Sequence, residues 1–153
     1  MMDNQSRSAS VKNKCIQIKN IVDDWIGIYQ SDDEFSKKQY KLFVYVDETF
    51  KVLGCLVAER TSTAQQFAYN EENGTRQLLI TDKEKKVVMG ISRIFVDLEH
   101  RRKGIATTLL ESARKHMIYG YHCNKNRLAF SHPTSMGHEF AKHYMQKHNY
   151  LVY

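Results

Sequence analysis

The feature that most constrains the fold is a buried strand that runs through a glycine-containing turn into a helix. Residues 86–97, KVVMGISRIFVD, are rich in β-branched and apolar side chains and predict a buried central strand. The turn EHRRKG follows, and the segment IATTLLESARKHMI predicts a helix. Helical spacing puts four residues on one face for packing on a sheet, namely Ile105, Leu109, Ala113 and Met117. The centre of this chain is therefore expected to be a sheet covered by a helix.

The N-terminal part predicts one helix after an irregular start. Residues 1–14 are polar and without periodicity, and they are expected to form a disordered tail. Apolar residues recur at helical spacing from Ile16 to Tyr29, which predicts a first amphipathic helix. Within that helix Trp25 is expected to be a core residue.

Further strands are predicted on both sides of the central unit. The runs at 41–47 and 51–59 predict an antiparallel hairpin. Residues 60–76 carry turn formers and no sustained period, which predicts a surface insertion. A second buried strand is predicted at 127–131, where Pro133 biases the preceding residue to an extended conformation and ends the ladder.

The C-terminal segment SMGHEFAKHYMQKH predicts a last helix, and YLVY predicts a closing strand. A length of 153 residues suits one domain, and no repeat or interdomain linker is evident, so residues 15–153 are expected to form a single domain. With 42% hydrophobic and 26% charged residues, the composition is that of an ordinary globular domain.

Composition also indicates the cellular compartment of the protein. The cysteines Cys15, Cys55 and Cys123 are scattered and odd in number, which favours a reducing compartment over a disulfide framework. No stretch approaches the roughly 20 apolar residues that cross a bilayer, and the N-terminus has no apolar core of a signal peptide. A cytosolic or nuclear protein is therefore expected.

The net charge of +6 is concentrated in one part of the chain. Between His100 and Arg127 the Lys and Arg residues are opposed by a single acidic residue, Glu111, and all seven histidines lie from His100 onward. An anionic partner is therefore expected in the C-terminal third, although a solvated basic helix face would give the same pattern.

The turn Arg101-Arg102-Lys103-Gly104-Ile105-Ala106 is suited to anion binding. The first turn of a helix has unpaired backbone N–H groups and the positive end of the helix dipole, so it can hold a phosphate. A side chain at Gly104 would obstruct the approach of a diphosphate to the backbone. The order strand, R-x-x-G-x-A, helix resembles the acetyl-coenzyme A signature of the Gcn5-related N-acetyltransferase superfamily.

Within that superfamily the sequence resembles the catalytic domain of the sister-chromatid cohesion acetyltransferases. The motifs that carry the resemblance are VLGCLVAE at 52–59, GISRIFV at 90–96, RRKGIA at 101–106, IYGY at 118–121 and AFSHPT at 129–134, followed by Gly137, Phe140, Ala141 and Tyr144. The resemblance implies a mixed α/β fold with a central, mostly antiparallel sheet flanked by helices. It also implies a nuclear enzyme that transfers acetyl from acetyl-coenzyme A to lysines on the ATPase head of a cohesin subunit, with chromatin-associated partners.

The resemblance also implies the contacts of the acetyl donor. Backbone groups of Ile94, Phe95 and Val96 are expected to meet the pantetheine arm as an added strand would. The diphosphate is expected to be wrapped by Arg102, Lys103, Gly104, Ile105, Ala106 and Thr107, and the charges of Arg101 to Lys103 are assigned to the phosphates. Thr134, Ser135 and Met136 are expected to close the other side.

Three catalytic positions are implied in the same way: a serine in the strand, an acid in the following helix and an aspartate before the proline. Ser92 and Glu111 match the first two, whereas His132 stands where the family has the aspartate. Glu111 is a candidate base or lysine-positioning group, and an ion pair with Lys115 is the alternative. His132 could accept a proton near neutral pH but supplies no permanent negative charge. Tyr144 is a candidate acid for the departing thiolate, or a core residue.

Two other readings remain open from the sequence. The same fold could acetylate another amine, such as a protein N-terminus or a small molecule. The basic segment with Tyr119 and Tyr121 could instead bind nucleic acid. No metal is predicted, because His138, His143 and His148 are five residues apart, and no C-x-x-C or H-x-x-x-H precedes the first helix. No membrane partner is expected.

Overall fold

A computed structural model of the chain describes residues 4–27, 40–72, 75–147 and 149–153, together with Tyr29, Ser31 and Phe35. Within these residues seven strands form one sheet. They are β1 (Tyr40–Val46), β2 (Val52–Glu59), β3 (Thr63–Glu72), β4 (Thr75–Lys86), β5 (Met89–Val96), β6 (Leu128–Phe130) and β7 (Tyr150–Val152). The α-helices are α1 (Asn4–Ile26), α2 (Ile105–His116) and α3 (Ser135–Met145), and short 3-10 helices lie at Leu98–His100 and Lys125–Arg127.

The strand order across the sheet is β1-β2-β5-β6-β7-β3-β4. The pairs β1–β2, β2–β5, β7–β3 and β3–β4 are antiparallel, whereas β5–β6 and β6–β7 are parallel. The parallel pairs arise because α2 and α3 each carry the chain back across the sheet between consecutive strands. The expected mixed α/β fold with a mostly antiparallel sheet is confirmed.

One apolar cluster joins α2 and α3 to the sheet. The four residues predicted to share a face of α2 are all buried in it, which confirms that interpretation. Leu56 of β2 and Ile94 of β5, which are Cα partners, belong to the same cluster. Their strand neighbours Cys55 and Phe95 point to the opposite face, where Phe95 contacts Trp25 of α1. Helix α1 therefore covers the other side of the sheet.

Helix α1 differs from its prediction in two respects. It already begins at Asn4, so residues 4–14 are helical rather than irregular; no Gly or Pro interrupts that stretch. Trp25 is 61% exposed, so the expectation of a core residue was wrong. The buried face of α1 instead carries Lys19, Val22 and Asp23, because its two charged residues find buried partners.

Two boundaries in the middle of the chain also differ. The predicted surface insertion at 60–76 contains the whole of β3, which pairs with β4 and, through Gln65–Phe67, with β7. The partner β7 lies far away in the sequence, so local periodicity could not reveal this pairing. The run at 86–97 is divided, since Lys86 ends β4 and β5 begins at Met89. The predicted hairpin of β1 and β2 is confirmed.

None of the helices in the described parts of the chain is both long and apolar enough to cross a membrane.

Candidate functional site

The central strands β5 and β6 separate before β5 ends. Their pairing covers Met89 to Ile91, and the last links are made by Ser131. Its backbone N–H donates to the Ile91 carbonyl at 2.9 Å, and its hydroxyl donates to the Ser92 carbonyl at 2.8 Å. Beyond this point β5 continues to Val96, paired with β2 only. The result is an opening along β5 that exposes a strand edge of the kind an extended ligand can pair with.

A β-bulge at Ser92 marks the start of this opening. In the pairing of β5 with β2, Arg93 faces Val57 and Ile91 faces Ala58, so Ser92 has no partner of its own. A bulge bends the strand and increases its twist. Because the irregularity falls where β6 leaves, it explains why β5 diverges at this residue. The expected pantetheine contacts Ile94, Phe95 and Val96 all lie on the free stretch.

The turn that leads into α2 follows β5 after the short 3-10 helix at Leu98–His100. Gly104 caps this helix with φ 80° and ψ 0°, and Arg102 also has a positive φ of 62°. This backbone region is unfavourable for residues with a Cβ atom. A Cβ at Gly104 would meet no atom within 4 Å, so in this structure the glycine is required for its conformation. The turn leaves the helix N-terminus, with Ile105, Ala106 and Thr107, available to an anion.

Arg101 connects the two sides of the opening. Its Nε donates to the Val96 carbonyl at 2.9 Å, and its Nη1 approaches the Sδ of Met136 at 3.1 Å. Its guanidinium lies 5.9 Å from the centre of the Phe95 ring. These contacts tie the end of β5 to the start of α3. Arg102 and Lys103 are exposed, so they are the basic residues of this turn that remain for phosphates.

The start of α3 lies on the other side of the opening. Thr134 caps this helix, and its hydroxyl oxygen accepts from the Gly137 backbone N–H at 3.2 Å. Ser135 and Met136 are exposed in the first turn, and Met136 is the residue that Arg101 reaches. Because β5 and β6 are parallel, the helices that follow them begin at the same edge of the sheet. Two helix N-termini therefore flank one opening.

Glu111 lies in a polar cluster between α2 and α3. Both of its carboxylate oxygens accept from Arg114 Nη1 at 2.8 Å, and the Tyr144 hydroxyl donates to Oε1. Arg114 Nη1 also donates to the Tyr144 hydroxyl at 3.0 Å, and Lys125 Nζ lies 4.2 Å from the Tyr144 ring centre. The partner of Glu111 in this cluster is thus Arg114 rather than Lys115, because the cluster gathers around the buried ring of Tyr144.

The cluster holds Glu111 ionised. Burial on its own would raise the pKa of Glu111, but the hydrogen bond from Tyr144 and the charge of Arg114 outweigh it and lower that pKa. Burial, together with the hydrogen bond to Glu111, raises the pKa of Tyr144 to about 12. The group therefore presents a carboxylate beside a neutral phenol. A phenol with so high a pKa is a poor proton donor to a thiolate.

The structure brings two of the three expected catalytic positions close together. Ser92 is joined through its carbonyl to Ser131, the residue before His132. His132 itself is exposed at the end of β6. Glu111 makes its contacts within the cluster between α2 and α3, with Arg114 and Tyr144.

Sequence reasoning missed a buried ion network next to Ser92. Arg93 is only 5% exposed, and its Nε donates to Oδ1 of the buried Asp23. Lys19 lies one helical turn before Asp23 and 3.3 Å from its Oδ2. Arg93 Nη1 also donates to the Ser92 hydroxyl at 3.0 Å. A charged residue inside an apolar strand run was the available signal, but its partners lie some 70 residues away in the sequence.

Among the described residues, no group of three or more His, Cys, Asp or Glu side chains could hold a metal ion. His138 instead makes a hydrogen bond of 2.7 Å through Nδ1 with the Tyr150 hydroxyl.

The model of the family described as ESCO1/2 acetyl-transferase matches residues 85–153. N-acetyltransferase ESCO2 of Danio rerio is 32% identical over 151 residues, which cover 92% of this chain and 25% of that protein. N-acetyltransferase eso1 of Schizosaccharomyces pombe is 37% identical over 108 residues, which cover 67% of this chain and 12% of that protein. The chain thus spans a quarter or less of these two relatives.

Two solved structures are similar over most of the chain. The xEco2 acetyltransferase domain bound to a K105-CoA conjugate has a TM-score of 0.82 and 28% identity, with 94% of this chain and 85% of that chain covered. The structure of the xEco2 acetyltransferase domain has a TM-score of 0.83 and 27% identity, with 94% and 83% covered. The similarity therefore extends over nearly the whole of a solved acetyltransferase domain.

Proposed function

Since the chain belongs to the ESCO1/2 acetyltransferase family, we propose that it is an acetyl-coenzyme A-dependent lysine N-acetyltransferase. The observation that carries the proposal is the opening between β5 and β6, flanked by the two helix N-termini and a glycine of φ 80°. The K105-CoA conjugate in the similar xEco2 domain supports the same assignment.

The parts of the opening fit the parts of an acetyl-coenzyme A molecule. The free edge of β5 suits the amide groups of the pantetheine arm, which would pair with backbone groups of Ile94, whereas the Phe95 carbonyl faces Gly54 of β2. Val96 contributes less, because its carbonyl already accepts from Arg101. The first turn of α2, with exposed Arg102 and Lys103, suits the diphosphate. Thr134, Ser135 and Met136 would border the bound molecule from α3.

Transfer to lysine requires a neutral amine, whereas a free lysine titrates near 10.4. Attack of that amine on the thioester carbonyl forms the C–N bond. As the C–S bond breaks, the sulfur leaves with the bonding pair as coenzyme A thiolate. The surplus proton of the nitrogen passes to a base, for which the exposed His132 is the candidate.

Glu111 has a different role in this proposal. Its lowered pKa makes it a weak base at neutral pH but keeps it negatively charged. Arg114 already balances the charge of this carboxylate, so a substrate lysine would be held by a hydrogen bond to Glu111 rather than by a free negative charge. Glu111 would therefore guide the substrate lysine, and His132 would accept the proton.

We further propose the ATPase head of a cohesin subunit as the acceptor and the nucleus as the location. Both rest on the resemblance to the sister-chromatid cohesion acetyltransferases rather than on the site itself. The net charge of +6 agrees with an acceptor that offers acidic surface around the lysine.

A comparison of three acceptors, each in a separate reaction, tests this proposal. The chain is incubated with acetyl-coenzyme A and either the folded cohesin ATPase head, a peptide with a free N-terminal amine and no lysine, or a polyamine. Acetylated positions are then mapped by mass spectrometry. We expect modification of lysines on the head and little on the other two. Preferential acetylation of the peptide N-terminus or the polyamine would overturn the assignment of the acceptor, and no transfer to any of them would overturn the activity.

A further inference from the structure

We propose that Arg93 is a positioning residue that fixes the Ser92 hydroxyl as a hydrogen-bond donor at the opening between β5 and β6. The inference rests on the proposed function, because it assigns a role to Ser92 in acetyl transfer. It concerns a residue whose side chain lies on the α1 side of the sheet and does not itself line the opening.

The contact between the two residues is direct. Arg93 Nη1 donates to Ser92 Oγ at 3.0 Å. Neighbouring side chains on a regular strand point to opposite faces, so they do not usually meet. Here Ser92 is the bulged residue of β5, and a bulge re-aims the side chain it contains. The bulge thereby brings the serine hydroxyl within reach of the arginine that follows it.

Hydrogen-bond chemistry then determines what the serine can do. A guanidinium has only donors, so Ser92 Oγ must act as the acceptor of that bond. The hydroxyl hydrogen is consequently left to donate to another group. Ser92 lies where β5 leaves β6, which is the place expected for the thioester of the acetyl donor. A donor aimed there would stabilise the negative charge that develops on the oxygen or sulfur of the thioester.

The arginine is itself held rigidly. Its Nε is bonded to Asp23 of α1, and Asp23 is also paired with Lys19. All three side chains are at least 96% buried. Buried charges of this kind keep a defined geometry because an unpaired charge would be strongly destabilising.

Helix α1 gains a function from this arrangement. Asp23 sits on the buried face of α1 and connects the helix to the strand that carries the expected catalytic serine. The tilted contact between the rings of Trp25 and Phe95, with ring centres 5.9 Å apart, makes a second link between the same elements. A shift of α1 would therefore move Arg93 and, with it, the part of β5 that carries Ser92.

A thiol in place of the hydroxyl tests the contact without any acetyl transfer. Ser92→Cys is made with Arg93 intact and with Arg93→Met, both in a Cys15→Ser background, and thiolate absorbance at 240 nm is followed with pH. The remaining thiols stay protonated near neutral pH and do not add to the absorbance, because burial raises the pKa of Cys55 to about 12 and also raises that of Cys123. A guanidinium in contact should make the pKa of the new thiol about one unit lower than it is beside methionine. Equal titration of the two proteins would overturn the proposal.

A double-mutant cycle tests the role in catalysis. Ser92→Ala and Arg93→Met are each expected to lower kcat roughly tenfold, with KM for acetyl-coenzyme A little changed. If Arg93 acts through Ser92, the double variant should be no slower than Ser92→Ala alone, within about twofold. Arg93→Lys, which keeps a donor and a charge, should recover part of the lost rate.

The outcomes separate the two proposals. Multiplicative losses in the double variant would show that Arg93 acts independently of Ser92, and this would overturn the inference even if the enzyme is active. Unfolding of Arg93→Met is checked by circular dichroism, and Arg93→Gln, which also removes the charge, then replaces it in both arms. A wild-type chain that transfers no acetyl would refute the proposed function, whereas the thiol titration would still decide the contact.

Discussion

Replacing Gly54 by alanine should displace the backbone that forms the proposed binding site and weaken acetyl-coenzyme A binding. Gly54 lies in β2 opposite Val96, under the first turn of α2. A Cβ added there would lie 2.9 Å from the Phe95 carbonyl oxygen, 3.1 Å from Ile105 Cγ2 and 3.3 Å from Leu109 Cδ1. The closest of these atoms is backbone, so a strand or the helix has to move.

The expected cost follows from the size of this clash. Overpacking of a core by one or two carbon atoms costs about 1–3 kcal/mol. For a domain of this length, each kcal/mol lowers Tm by about 2–4 °C. The displaced atoms belong to the stretch of β5 beside the opening and to the start of α2, which carry the proposed contacts of acetyl-coenzyme A. We therefore expect its affinity to fall about tenfold, equivalent to about 1.4 kcal/mol.

Gly90→Ala is the matched control. Gly90 is also a strand glycine without room for a Cβ, but its clash is with the ring of Tyr153, at 2.5 Å from Cζ. That ring lies at the opposite end of β5 from the opening and donates from its hydroxyl to Glu59. Differential scanning fluorimetry should show a loss of stability in both variants, and calorimetric titration should show weaker acetyl-coenzyme A binding only for Gly54→Ala. Equal affinities in the two variants, or an unchanged Tm for Gly54→Ala, would refute the reasoning.

Four further substitutions, at three positions, probe the candidate catalytic side chains. His132→Asp should raise kcat/KM for a lysine substrate about fivefold, since a unit charge at about 4 Å in water contributes about 1 kcal/mol. His132→Ala should lower kcat. Unchanged rates in both variants would remove His132 from the mechanism. Because the pKa of Glu111 is lowered on folding, its stabilising effect is present above its ordinary pKa of 4.5 and is lost as pH falls through the lowered value. The fall of Tm in acid should therefore be shallower in Glu111→Gln, and parallel curves would contradict this. Tyr144→Phe should destabilise the chain by about 1–2 kcal/mol in chemical unfolding while kcat changes less than about threefold, whereas a large loss of kcat would restore Tyr144 as an acid.

The central part of the fold could be predicted from the sequence because its signals are local. The strand at β5, the turn around Gly104 and the apolar face of α2 are each encoded within a few residues, and the structure contains all of them. The cap of α3 at Thr134 follows the predicted strand end at Pro133. A resemblance carried by ordered motifs added the overall topology.

Other features depend on partners that are distant in the sequence. Polarity at 60–76 predicts a surface insertion, but β3 gains its place through pairing with β7 near the C-terminus. Hydropathy predicts a buried Trp25, yet α1 turns Lys19 and Asp23 inward because Arg93 neutralises the carboxylate. Periodicity treats charged residues as exposed and therefore selects the wrong face of this helix.

In the candidate site, too, some features could be predicted from the sequence and others could not. The positive φ of Gly104 adds a conformational requirement for glycine to the one inferred from the motif. Arg101 is drawn away from the phosphates by Val96 and Met136, and this could not be read from a run of basic residues. The roles of the individual site residues remain proposals.

The central claim is that the turn before α2 binds the diphosphate of acetyl-coenzyme A, and calorimetric titration tests it most directly. Gly104→Glu is compared with Gly120→Glu, because both glycines have a positive φ, 80° and 70°, and open space around the Cβ position. The two substitutions thus impose similar strain and the same charge at different places. We predict stoichiometric binding by the wild-type chain and by Gly120→Glu, and none detectable by Gly104→Glu. Absence of binding by the wild-type chain, or equal affinity in the two variants, would contradict the account.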